Sequence, residues 1–185
     1  MYHIVTMFFV VCLFISQISL LHAENLIEKR FSVEMNVGEV LVRYEPKKIL
    51  DNHYSKGRLN FFWASSMTQF QSVESIVLLF EPQFDIIDVN GDGFNDVVFY
   101  NQYAGYGSPA TRGAHVLIYV PKRKKFFQSV TLSDRGEISL AKTKGCTLVN
   151  FKSGPTGYTT EEWCFNLKTG RWKLVHSEGG EAEIE

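Results

Sequence analysis

Residues 31–37, Phe31-Ser32-Val33-Glu34-Met35-Asn36-Val37, alternate strictly between apolar and polar, and this period of two predicts a strand with one buried face. Residues 40–44 continue it after Gly38. Residues 59–64 and 67–71 read as a pair across Ser65 and Ser66, and residues 76–80 form an apolar run stopped by Pro82. Residues 97–100 and 116–120 are strong strands. A polar turn at 121–125 leads into Phe126 and Phe127. Turn chemistry at 134–137 precedes a strand at 138–140, and 168–171 leads into 172–175. Only 47–54 and 72–79 leave room for short helices. Turns recur at roughly eight to twelve residues, the rhythm of antiparallel sandwiches and sheet arrays. The expected fold is therefore all-β, built of mostly antiparallel short strands, as a β-propeller-like array or a sandwich. Without a Pro- or Ser-rich linker, residues 24–176 read as a single domain.

Composition narrows the class. A chain of 185 residues with 45% hydrophobic and 21% charged residues is globular and thin for two domains. Aromatics make up 14%, with 15 Phe and 8 Tyr, which suits strands over helices. Lys+Arg 19 against Asp+Glu 20 argues against a nucleic-acid partner. The basic run at 122–125 reads as a solvated turn. Residues 4–21 carry no charge and are rich in Val, Phe, Ile and Leu, and Leu21-His22-Ala23 precedes Glu24. Residues 1–23 thus read as a signal peptide cut after Ala23, the alternative being a retained membrane anchor. The expected location is the periplasm, or outside the cell, with membrane contact only through that segment. Residues 177–185, with four glutamates and two glycines, read as a flexible acidic tail.

Outside the leader two cysteines remain, Cys146 and Cys164. An even count in an exported chain points to a disulfide. Residues 146–152 read as a strand, 153–157 as a turn and 158–166 as the returning strand. Cys146 and Cys164 are equidistant from Pro155, so a hairpin centred there places them opposite one another. Two free buried thiols are the alternative.

The sharpest motif is Asp88-Val89-Asn90-Gly91-Asp92-Gly93-Phe94-Asn95-Asp96. A hard cation such as Ca²⁺ takes oxygen ligands, and Asp88, Asn90, Asp92 and Asp96 supply side-chain oxygens, with the Phe94 carbonyl between them. Gly93 permits the sharp turn. An EF-hand would carry a bidentate Glu at position 12, where this chain has Phe99 in an apolar run. The motif therefore reads as an EF-hand-like calcium loop between strands. An ion-free Asx-rich turn is the bland reading, and the mutual repulsion of three acids argues against it. The ion would be structural, since no His or Cys joins the set.

Two loops are candidates for a working surface. Residues 101–109 carry Tyr103 and Tyr106 among glycines, and residues 153–158 place Ser153, Gly157 and Tyr158 at the hairpin tip. Tyr offers contact area and a hydroxyl at low entropy cost. Ordinary glycine-rich turns are the alternative. Enzyme chemistry finds no motif: His53, His115 and His176 are scattered, and Glu161 and Glu162, as strand neighbours, face opposite sides.

Several stretches together resemble a known family. They are Gln69-Phe70-Gln71, residues 84–98 with the calcium loop, Val116-Leu117-Ile118-Tyr119, Lys124-Lys125-Phe126-Phe127, and the ending from Tyr158 through Glu162-Trp163 to residues 169–175. Over residues 58–176 the chain is similar to bacterial periplasmic immunity proteins that inhibit lysozyme-like effectors of contact-dependent killing systems. The resemblance implies a propeller-like β fold that needs Ca²⁺, and inhibition by loops inserted into a muramidase cleft. It places the metal on Asp88, Asn90, Asp92 and Asp96 and an inhibitory glycine-tyrosine tip on Gly157 and Tyr158. Many relatives are lipoproteins, whereas this leader has no lipobox cysteine at its cut. The expected function is a non-enzymatic inhibitor of a lysozyme-like peptidoglycan hydrolase. The alternative is an exported calcium-dependent binding module, of the integrin-like kind, for a glycan or surface protein.

Overall fold

The computed structural model describes residues 27–33, 38–51, 54–79, 83–103, 111–152 and 157–181. They form twelve strands in three antiparallel sheets, each a meander of four consecutive strands. The first sheet contains β1 (Ile27–Ser32), β2 (Glu39–Asp51), β3 (Tyr54–Trp63) and β4 (Thr68–Leu79). The second contains β5 (Phe84–Ile87), β6 (Asp96–Tyr103), β7 (Thr111–Val120) and β8 (Lys125–Gln128). The third contains β9 (Glu137–Leu140), β10 (Cys146–Lys152), β11 (Gly157–Asn166) and β12 (Arg171–Glu181). A single 3-10 turn, Pro121–Arg123, joins β7 to β8 among the described residues. The all-β expectation holds. The propeller-like form does not, because the three sheets form an open array and close into neither a propeller nor a barrel.

The middle sheet explains the unbroken apolar runs. Side chains alternate faces along a strand, so a sheet covered on both sides needs apolar residues at every position. On β6, Val97 and Phe99 join a core with Val40, Val42, Leu59 and Phe61 of the first sheet. Val98 and Tyr100 face the other way, into a core with Ile138 and Val149 of the third sheet. β7 divides likewise, Leu117 and Tyr119 to one core and Val116 and Ile118 to the other. In the first core Phe126 stacks on Phe61, with ring centroids 4.6 Å apart, and meets Tyr119 and Phe31 at their edges or at a tilt.

Several expectations are corrected. The segments 47–54 and 72–79, left open for helices, are strand wherever they are described, because each alternates in pairing with β3. The strand read at 31–37 begins earlier, at Ile27, and residues 34–37 lie outside the described residues. Residues 40–44 do not continue that strand but fold back antiparallel to it, with Gly38 at φ +96° in the connection. β12 carries strand pairing through Glu181, so residues 177–181 of the segment expected as a tail pair with residues 157–161 of β11. The leader, residues 1–23, lies outside the described residues.

Candidate functional site: the loop at 88–96 and the hairpin tip

The loop between β5 and β6 is wound around its own acids. One Asp88 carboxylate oxygen accepts the N–H groups of Gly91 (2.8 Å) and Asp92 (3.1 Å), and the other accepts that of Gly93 (2.9 Å). Asn90 Oδ1 accepts the Asp92 N–H, and its amide nitrogen donates to Asp92 Oδ2 at 3.0 Å. Asp92 Oδ1 accepts the Phe94 N–H at 2.9 Å. Asp96 is fully buried, and its two oxygens accept the N–H groups of Val89 (3.1 Å) and Tyr119 (2.8 Å). Gly91 and Gly93 take φ of +73° and +92°, conformations that favour glycine.

This loop touches all three sheets. Asn95 donates from its backbone to Val33 O at 2.9 Å and from its amide to Ser32 O at 2.8 Å, at the end of β1. The Phe94 ring packs against Tyr119 of β7. On the third sheet, Thr147 Oγ1 donates to Val89 O at 2.7 Å. Gly91 lies against Gly145 so closely that a Cβ at Gly91 would stand 2.5 Å from the Gly145 Cα. Gly145 in turn precedes Cys146 and accepts the Phe165 N–H at 2.8 Å. Asn95, Gly145 and Thr147 escaped the sequence reading. The glycine beside the cysteine was visible, but its partner across the fold was not.

Burial dominates the electrostatics of the loop. Burial pushes the Asp96 carboxyl up to about 8, against the pull of its two backbone N–H donors, and the charges of Asp92 and Asp88 push the same way. Burial raises Asp92 as well. The donor set is all oxygen, as Ca²⁺ requires. The acids are nevertheless turned onto backbone N–H groups. Among the described residues, the set of His, Cys, Asp and Glu ligand atoms gathered within 4.8 Å of one another is Cys146, Glu162 and Cys164. The disulfide consumes both of those sulfurs. Phe99, at the position where an EF-hand has its glutamate, is a core side chain.

The hairpin follows the register read from the cysteines. Cys146 opposes Cys164, and the pairing runs without slip to Lys152 opposite Tyr158. The two cysteines form a disulfide, with Cα atoms 4.0 Å apart. It sits at the base of the hairpin beside Gly145, not under the tip, which is about 20 Å away by strand rise. Tyr158 is 49% exposed and Gly157 half-buried. Ser153 and Tyr106 lie outside the described residues. Tyr103 ends β6 opposite Thr111. The β6–β7 connection and the hairpin tip both leave their sheets at the end remote from loop 88–96, so the structure separates the two candidate regions.

Three further acids and a histidine have defined surroundings. Glu161 accepts from Arg135 (2.9 Å) and from the Trp163 indole (2.8 Å), whereas Glu162 is on the opposite face with the disulfide. The Tyr100 hydroxyl bridges Asp85 (2.9 Å) and Ile138 O (3.0 Å), joining the second and third sheets. His115 Nδ1 lies 3.6 Å from Asp134, and burial lowers the His115 pKa while Asp134 opposes the shift.

No family model matches the chain, and no curated protein does. A solved structure described as "Structure of a Xanthomonas Type IV Secretion System related protein" superposes with a TM-score of 0.56, covering 84% of this chain and 88% of that one at 10% sequence identity. At that identity the likeness is one of fold.

Proposed function

We propose that this chain is an exported, calcium-stabilised, non-enzymatic inhibitor of a lysozyme-like peptidoglycan hydrolase, acting as an immunity protein in the periplasm. The observation that carries the reading is the hairpin. β11 is paired along its length with β10 on one side and β12 on the other, so Gly157 and Tyr158 project from a braced support. Residues already held in strand pairing lose little entropy on entering a cleft, and an exposed tyrosine is a common interface anchor. The disulfide suits an oxidising compartment. The fold likeness to a protein related to a type IV secretion system is compatible with a bacterial killing context.

Ca²⁺ would be held by Asp88, Asn90, Asp92 and Asp96 with the Phe94 carbonyl, and would supply positive charge where burial disfavours the ionised forms of Asp92 and Asp96. The chain's own part is to fix that loop between three sheets. The ion then stabilises the scaffold and takes no part in chemistry.

The test is turbidity loss of a cell-wall suspension by an exported lysozyme-like hydrolase encoded beside this gene. Wild type should block it. Tyr158→Glu should weaken inhibition about 30-fold, the loss typical of an interface anchor, with the fold intact. Tyr106→Ala should weaken it less. No inhibition by wild type, or full inhibition by both variants, would favour an exported calcium-dependent module that binds a glycan or surface protein.

A further inference from the structure

The near-neutral net charge of -1 conceals an uneven distribution. The β7–β8 connection carries Lys122, Arg123 and Lys124, followed by Lys125. The β9–β10 connection carries Lys142 and Lys144, and around the β11–β12 turn stand Lys168, Arg171 and Lys173. All nine are exposed, and none takes part in an ion pair among the described residues. By contrast Arg43, Lys47, Arg58 and Arg135, on or beside other strands, each face a carboxylate.

The three connections lie together. Tyr119, just before the first, donates to Asp96 of loop 88–96. Gly145, in the second, packs on Gly91 of the same loop. Phe165, just before the third, donates to Gly145. Large apolar side chains stand exposed at the same end: Phe127 beside the first connection, Leu140 beside the second, Leu167 in the third and Met67 in the β3–β4 turn. The Met67 turn belongs here because Ala64 donates to Glu39, whose neighbour across the sheet, Ser32, accepts from Asn95. The acids at this end are Glu39, the loop's Asp88, Asp92 and buried Asp96, and Glu162 beside the disulfide; Asp88 and Asp92 are half-buried and engaged by backbone N–H groups.

We propose that this end is a docking face for an anionic lipid bilayer. Exposed lysines interspersed with projecting Leu, Met and Phe are the chemistry of peripheral membrane binding: cations meet the headgroups and apolar tips enter the interface. Seven of the nine cations are lysines, mobile point charges suited to a fluid array of phosphates; planar bidentate recognition of one defined anion would favour arginine. Expected membrane contact through the leader alone is thereby extended to the folded domain. Docked in this way, the chain presents the opposite end, with Tyr158, away from the bilayer.

The test is flotation of the full-length exported protein with vesicles of phosphatidylcholine alone or mixed with phosphatidylglycerol. Wild type should float with the anionic vesicles and not the neutral ones, and should release as salt is raised. At about fivefold per lysine near the surface, Lys142→Glu with Lys144→Glu and Lys168→Glu should weaken binding at least 100-fold. Leu140→Ser with Leu167→Ser should weaken it without changing the salt dependence. Lys56→Glu, on β3 and away from this end, should bind as wild type. The exposed turn positions make folding insensitive to these changes, and thermal melting checks that. Equal binding to both vesicle types, or undiminished binding by the triple variant, would overturn the proposal. So would a wild type that ignores anionic vesicles yet binds polyglutamate or DNA, which would mark a general polyanion site.

Discussion

Loop 88–96 and the β10–β11 tip are both short, glycine-containing polar connections, yet the structure uses them in opposite ways. The loop's polar groups are turned inward. Its acids satisfy its own backbone, its asparagine reaches β1, and its glycine lies against Gly145 on the third sheet. At the tip, Tyr158 is exposed and pairs only within its sheet. Composition alone does not separate a structural turn from a presented one. The difference comes from what stands opposite. The loop leaves the middle sheet, with neighbours on both sides, while the tip leaves an outer one.

That contrast should break most sharply at Gly91. Gly91→Ala places a Cβ against backbone atoms of Gly145 in a left-handed conformation, and should cost about 3 kcal/mol or more of unfolding free energy in urea denaturation. A cost below that of Tyr158→Glu would erase the distinction. Next comes the disulfide, which closes a separation of 18 residues. Cys146→Ser with Cys164→Ser should cost about 3 kcal/mol, and hydrogen exchange should quicken first around Gly145 and loop 88–96, not at the tip.

The third comparison uses pH and chelator. The folded Asp96 pKa, about 8, lies above the ordinary carboxylate value, so the folded state binds the proton more tightly than the unfolded one. Its contribution is fully present below about pH 4 and is lost as pH rises towards 8. The melting temperature of chelator-treated protein should therefore fall over that window. Calcium at a hundredfold over its dissociation constant should restore about 2.7 kcal/mol at neutral pH. Asp88→Ala with Asp96→Ala should abolish the calcium response. Identical calorimetric curves with and without calcium would reduce the loop to a turn. The smallest stability effect belongs to Tyr158→Glu, within about 0.5 kcal/mol of wild type, while inhibition falls.

Much of the fold was legible because it is local. The Ser65–Ser66 turn, the Pro121 turn and the register of Cys146 with Cys164 all concern strands adjacent in sequence. The runs around Val97 and Val116 announced strands, but their burial on both faces emerged only with the second layer. Residues 47–51 and 72–79 carried mixed patterns that edge and inter-strand pairing resolved as strand. The acids of loop 88–96 could be named from spacing. Their seat on Val33, Gly145 and Thr147 could not, because those residues are 54 or more positions from their partners and carry no motif of their own. Lysines at 142, 144, 168 and 173 carry no motif in the sequence, and they come together only where three connections converge.

The serial order of the sheets bears on how the chain assembles. Every sheet closes by hairpins between consecutive strands, so no strand waits for a distant partner within its own sheet. Short closures cost little chain entropy, and such a topology folds faster than a Greek-key sandwich of equal strand content. A chain delivered from its N-terminus would build the first meander before the second had fully emerged, and the middle sheet would then find one of its two faces already covered. Cys164 lies in the next-to-last strand, so oxidation can close the third sheet only after the second has emerged to receive it. The covalent link thus forms within the third sheet, after the strands of the first two have emerged and before β12 completes it.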